Sequence, residues 1–285
     1  MYAFTLAAVF ALGAAIGSFL NVVILRSGTG LGLLRSSFCF TCGIALRAYE
    51  LVPVLSFLAL RGRCRSCRAK IHFQYPLVEA LSGVIFLGVW LHEMGRATLA
   101  DFFFYQGAVG TLLPHLFLLW AIGSVLLAIA AYDLRHKIIP DIFVYAFIAL
   151  AFLSLFPNIQ QATDSIQLFL NHISAGVVFF LLFAALWFIS RGKWMGFGDA
   201  KLAAGIGTLL GFSSGAAALV LSFWVGAAVS IALLALVRAK TLSRWLKALT
   251  IKSEIPFAPF LVLGTFAAYF FNITFWDVAG IFVIG

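Results

Sequence analysis

Leu202-Ala-Ala-Gly-Ile-Gly-Thr-Leu-Leu-Gly211-Phe212-Ser213-Ser214-Gly215-Ala-Ala-Ala-Leu-Val-Leu-Ser-Phe-Trp-Val-Gly-Ala-Ala-Val-Ser-Ile-Ala-Leu-Leu-Ala-Leu-Val237 contains no charged residue. A helix crosses the hydrocarbon core of a bilayer with about 20 mostly apolar residues. The stretch is too long for one crossing and short for two. Gly211-Phe212-Ser213-Ser214-Gly215 is a turn signal in its first third, since glycine and serine interrupt helices. Two helices are therefore expected here, the first of them short. The choice matters for the whole chain, because one extra crossing moves every later loop to the opposite face.

Further apolar runs lie on both sides of this stretch. Toward the N-terminus they are Ile166–Ser190, Ile142–Phe156 (closed by Pro157-Asn158), Phe102–Tyr132, Tyr75–Leu91 and Tyr2–Leu25. Toward the C-terminus, Ile255–Trp276 precedes an apolar tail after Asp277. The count is eight spans. The chain of 285 residues is 64% hydrophobic and 10% charged, whereas a soluble domain carries about a quarter charged residues. The expected fold is an all-α polytopic membrane protein. Tyr2–Leu25 has no basic region before it and no small-residue cleavage site after it, so a retained span is expected rather than a cleaved signal.

Charge tests this count. Placing segment 26–74 in the cytosol and alternating sides puts all of the 19 Lys and Arg except Arg96 on the inner face. Cytoplasmic loops carry such an excess. Merging the helices at Gly211 would move the basic stretch Arg238–Lys252 outside. With eight spans, both termini face outward. The net charge of +9 does not indicate nucleic acid, because the basic residues occupy short gaps between apolar runs and suit anionic lipid. The chain divides into a first span (1–25), a cytosolic segment (26–74) and a seven-helix core (75–285).

Segment 26–74 holds all four cysteines, as Cys39-Phe-Thr-Cys42 and Cys64-Arg-Ser-Cys67. Each C-x-x-C turn can place two thiolates on one metal, and two turns complete a tetrahedral shell, with zinc the default ion. Two disulfides or four free thiols are the alternatives. A closed four-Cys site is structural and folds a segment too small for its own core. Gly43 and Gly62 lie beside the pairs, where tight turns need them.

Ionisable groups at membrane depth are costly, so the ten acids mark candidate functional positions. Asp141, after Pro140, suits the N-terminus of the following helix. Asp133 lies at the end of the third run, where the helix dipole disfavours a carboxylate. A salt bridge to Arg135 or Lys137 is its structural alternative. Asp199 follows two glycines in Gly196-Phe197-Gly198-Asp199-Ala-Lys201. Glycine there permits close approach or positive φ, and a helix N-cap is the ordinary explanation for the acid. Asp133 and Asp199 fall on the same face. Two carboxylates that meet can share a proton, one serving as base for a water and the other as acid for a carbonyl. Spacing alone does not show that they meet. Glu79, one turn inside the second span, is either functional or a partner of Arg68 or Lys70. His115 and His172 are expected to be packing residues. Solvation accounts for Asp101, Asp164 and Asp277.

Taken together, these motifs resemble the type IV prepilin peptidase family. The resemblance rests on Gly17-Ser18-Phe19-Leu20-Asn21-Val22-Val23, the two C-x-x-C pairs, Pro53-Val-Leu-Ser56, Arg61-Gly62-Arg63-Cys64 and Tyr75-Pro76-Leu77-Val78-Glu79. It continues through Asp133 with Ile139-Pro140-Asp141, Gly196-Phe197-Gly198-Asp199-Ala-Lys201-Leu202, and Ile255-Pro256-Phe257-Ala258-Pro259-Phe260. It implies a membrane aspartic peptidase with Asp133 and Asp199 as the catalytic pair, the second in a G-x-G-D motif. It implies prepilin or pseudopilin substrates, whose basic leader is cut on the cytosolic side of the bacterial inner membrane. With the cysteine segment present, it also implies N-methylation of the new terminus from S-adenosylmethionine. Glu79 is a candidate for a role in that transfer. The chain departs from the family pattern at Phe40, where proline is usual, and at Ala258, where glycine is usual. Two other readings stay open: a transporter, or a membrane scaffold that binds partners through its cysteine segment. A basic leader should avoid a basic face, so Asp133, Asp141 and Asp199, with Glu50 and Glu79, are expected to outweigh the local Arg and Lys.

Overall fold

The computed structural model describes residues 2–27, 32, 36–96, 108–156, 165–238 and 256–283. Asp101, Asp164 and the basic stretch after Arg238, through Lys252, lie outside these. The described residues are almost entirely helical. Helix α1 spans Tyr2–Arg26, α2 Leu55–Ala59, α3 Gln74–Arg96 and α4 Ala108–His136. They are followed by α5 Asp141–Leu153, α6 Ser165–Ser190, α7 Phe197–Arg238, α8 Ala258–Phe270 and α9 Phe275–Val283. Among the described residues, α1, α3, α4, α6 and α7 are long and apolar enough to cross a membrane, whereas α5 and α8 are shorter apolar helices.

The opening stretch breaks where the glycine predicts. Within α7, Gly211 alone leaves helical geometry, at φ 73 and ψ −172. An L side chain is strained at that φ, and a Cβ here would lie 2.8 Å from Asn171 Nδ2. A helix break leaves nearby carbonyls without their usual donors. His172 Nδ1 lies 2.9 Å from the Thr208 carbonyl, one turn before the break.

The final run is two helices rather than one. Thr274 starts α9: its backbone N–H and hydroxyl both reach Asp277 Oδ2, at 2.8 and 2.7 Å. Asp277 is thus half of a capping pair and not merely a solvated charge.

The chain forms two compact units, Met1–Ala131 and Tyr132–Gly285. In the first, α1 packs on α3. A Cβ on Gly17 would lie 2.7 Å from Glu79 Cα, so the helix backbones approach closely, as small residues allow within membranes. Trp120 of α4 stacks on Phe86 of α3, with ring centroids 4.9 Å apart, and donates its indole N–H to the Phe86 carbonyl. In the second unit α7 is central and packs against α5, α6, α8 and α9. Ala200, Leu202, Ala203 and Ile206 on its first part are completely buried.

Candidate active site and metal centre

The sequence forms two matching turns in the cysteine segment. In the first, Phe38 bridges Ala45 and the Gly43 N–H reaches the Cys39 carbonyl at 2.8 Å. In the second, Arg63 bridges Lys70 and the Arg68 N–H reaches the Cys64 carbonyl at 3.0 Å. The residue after each pair must turn left-handed. Gly43 does so at φ 73 and Arg68 at φ 59. Gly62 also has positive φ, but it precedes the second pair and faces the Phe57 ring.

These turns bring the four sulfurs to within 4.8 Å of one another. No disulfide joins them. Zinc–sulfur bonds are about 2.3 Å, which sets a tetrahedral S···S edge of about 3.8 Å. Cys39 and Cys67 Sγ are 3.8 Å apart, so the set fits a metal ion. The Cys39 thiol is drawn down to about 6, first by the backbone N–H of Cys42 directed at its sulfur.

Glu79 is buried in the first unit. Its Oε2 accepts the Val54 N–H at 2.7 Å, and the Ser18 side chain also bonds it. These protein groups, rather than Arg68 or Lys70, are its partners. Val54 has φ 61 and ψ −50, with the Leu55 N–H on the Pro53 carbonyl at 2.6 Å. That is a γ-turn of the rare, strained kind. A buried carboxylate thus accepts from the strained residue and helps to hold it in place. His115 Nε2 lies 3.7 Å from Glu93 Oε2.

In the second unit, Asp133 is buried in the last turn of α4. Its Oδ2 accepts the backbone N–H of Ala258, the first residue of α8, at 3.2 Å. The helix end that disfavours a carboxylate is thus offset by the start of another helix, where one is favoured. The departure from the family pattern at Ala258 leaves this contact intact, because alanine keeps its N–H.

Asp199 is buried in the first turn of α7. It is not the N-cap. Gly196 takes that position, and Asp199, three residues on, accepts its N–H on Oδ2 at 3.1 Å. Gly198 supplies close approach rather than positive φ, since a Cβ there would lie 3.0 Å from Ile139 Cβ. The two aspartates are within electrostatic reach of each other. Among the described residues, neither Oδ1 has a hydrogen-bond partner.

Two of the acids expected to make the entrance negative are neutralised. Asp141 pairs with Lys201 Nζ at 2.6 Å, and Glu50 with Arg65 at 3.1 Å. The Lys201 ammonium also lies over the Tyr145 and Phe197 rings, 5.2 and 5.3 Å from their centroids. Pro140 is the N-cap of α5, so Asp141 opens the helix as expected.

Apolar helices able to cross a membrane, with two buried carboxylates in electrostatic reach of each other, define a class: polytopic membrane proteins that keep costly ionisable groups at a packed helix end. The chain belongs to the type IV leader peptidase family. Residues 11–93 match the bacterial peptidase A24 N-terminal domain, and residues 120–231 match the type IV leader peptidase family. The prepilin leader peptidase/N-methyltransferase of Burkholderia pseudomallei strain 1026b is 31% identical over 303 residues, covering 96% of this chain and 88% of that protein. The protein of the same name from Pseudomonas aeruginosa PAO1 is 30% identical over 285 residues, covering 90% and 87%. No solved structure matches.

Proposed function

We propose that this chain removes the leader of type IV prepilins or pseudopilins, with Asp133 and Asp199 as the catalytic pair. The observation that carries this reading is the pair itself. Each aspartate is buried, each is anchored through Oδ2 to a backbone N–H, and each leaves Oδ1 for chemistry. With one proton between them, one carboxylate takes the proton of a water while the other protonates the scissile carbonyl. The anchoring N–H groups fix both carboxylates before substrate arrives, and that supplies orientation. Lys201 acts as a positioning residue, tying the start of α7 to the start of α5.

The relatives' names support a second activity, N-methylation of the new terminus, with S-adenosylmethionine as methyl source. Zinc is the ion that the four thiolates suit best, and it would order the cysteine segment. The one-sided basic residues support an inner-membrane protein with segment 26–74 and both aspartates on the cytosolic side and with both termini outside. Residues 1–25, 26–74 and 75–285 then form first span, metal segment and peptidase core.

The test is prepilin cleavage in membranes containing Asp133→Asn or Asp199→Asn protein. Loss of cleavage at unchanged expression is expected, and full cleavage by either variant refutes the pair. Labelled S-adenosylmethionine with a cleaved pilin tests methyl transfer, which fails if no label reaches the new terminus.

A further inference from the structure

The cysteine segment holds a second feature that neither metal binding nor peptide cleavage uses. Beside Cys64 lies a cleft of about 570 Å³ whose wall includes Arg61, Arg63, Arg65 and Arg68. Arg65 is committed to Glu50. Among the described residues, Arg61, Arg63 and Arg68 have no anionic partner. Arg61 and Arg68 also have left-handed backbones, at φ 51 and φ 59, a conformation that costs any residue with a Cβ. The fold thus gathers uncompensated guanidinium groups around one opening. Four thiolates holding a divalent ion would carry two net negative charges. Arg61, Arg63, Arg68 and Lys70 bring four positive ones, so an excess remains.

The surroundings narrow the ligand. The segment leaves the end of α1 and returns at the start of α3, two helices able to span a membrane that pack side by side. The Val54–Glu79 bond ties it to the first turns of α3. The segment therefore stays near the membrane surface. The short helix α2 runs directly into the cleft wall through Ala59 and Leu60. Leu55 and Leu58 on it are each 64% exposed. Exposed leucines followed by arginines suit an element lying in the headgroup layer. Guanidinium forks match phosphate oxygens.

We infer that the Arg61–Arg63–Arg68 cleft binds the phosphate of an anionic phospholipid headgroup and seats the metal segment on the bilayer. This does not depend on the peptidase reading, and its test needs no activity.

The full-length protein, delipidated in a neutral detergent, is offered equal phosphatidylglycerol and phosphatidylcholine, and retained lipid is read by native mass spectrometry. Selective retention of phosphatidylglycerol is expected. The combined substitution R61Q, R63Q and R68Q should weaken it about a hundredfold, as expected for three arginines each attracting an anionic surface, while metal stoichiometry stays unchanged. Equal retention of the two lipids, or an unchanged preference in the triple variant, overturns the inference. Should the variant lose its metal, phenylglyoxal labelling of the wild-type protein decides. Protection of these arginines by phosphatidylglycerol supports the site, and its absence refutes it. Equal protection by inorganic phosphate alone assigns a soluble anion instead, and protection by a prepilin but not by phosphatidylglycerol assigns a substrate surface.

Discussion

The two units hold their functional side chains in place by different means. In Met1–Ala131 the chemistry-bearing segment has no apolar core. Among its described residues from 36 to 73, Cys64 alone is buried. Its order comes from two hydrogen-bonded turns, a carboxylate clamp on Val54 and four convergent sulfurs. In Tyr132–Gly285 the site lies at the end of a packed bundle, with completely buried Ala200 and Leu202 one and three residues after Asp199. A segment without a core depends on its ion, whereas a packed helix end depends on shape. Perturbations should therefore act on the two units in different ways.

The largest effect should come from removing the ion. Structural zinc contributes about 10 kcal/mol or more to small sites. Chelation, or Cys64→Ser, should expose residues 36–73 to protease while 132–285 stays protected. Continued protection of the segment would break the contrast. Acid should act in the same direction. Protons compete with the ion for the four thiolates, so metal retention should fall as pH falls, and residues 36–73 should become exposed as the ion is lost.

Next come the aspartates. Asp133→Asn or Asp199→Asn should lower kcat by about a thousandfold, the middle of the range for losing an acid–base group, with protease protection of both units unchanged. Smaller again is Gly198→Ala, which pushes a methyl toward Ile139 at 3.0 Å. We expect about a tenfold loss in kcat with KM little changed, since small misplacements of positioned groups are costly. Partial recovery in the double variant with Ile139→Ala would confirm that shape is the cause. Last is Lys201→Met. Because Asp141 is largely exposed, its ion pair is screened and is worth about 1 kcal/mol at most. A few-fold fall in kcat is expected, and Lys201→Arg should recover most of it.

The parts of the molecule legible in the sequence are those governed by local rules. Apolar runs gave the helices, and Gly211 marked the break because only its backbone tolerates that turn. The spacing of the cysteines foretold one shared site because two turns suffice to make it. Contacts between distant segments were not legible. Asp133 meets Ala258 across 125 residues, and Asp141 meets Lys201 across 60. No local pattern encodes either pairing. Two features were readable and missed. Thr274-x-x-Asp277 and Gly196-x-x-Asp199 both place an acid three residues after a cap, which signals a helix start. Reading the first would have split the final apolar run, and reading the second would have put Asp199 inside α7.

The bond between Asp133 and α8 also bears on how position 258 can vary. The donor is main chain, so every residue type but proline supplies it. Buried space around the alanine restricts size, yet glycine or serine would leave the aspartate's anchor intact. A deep mutational scan should therefore show tolerance for small residues at 258 and a sharp penalty for proline. The most distant support of the site is thus sheltered from most substitutions, while the aspartate it holds is not.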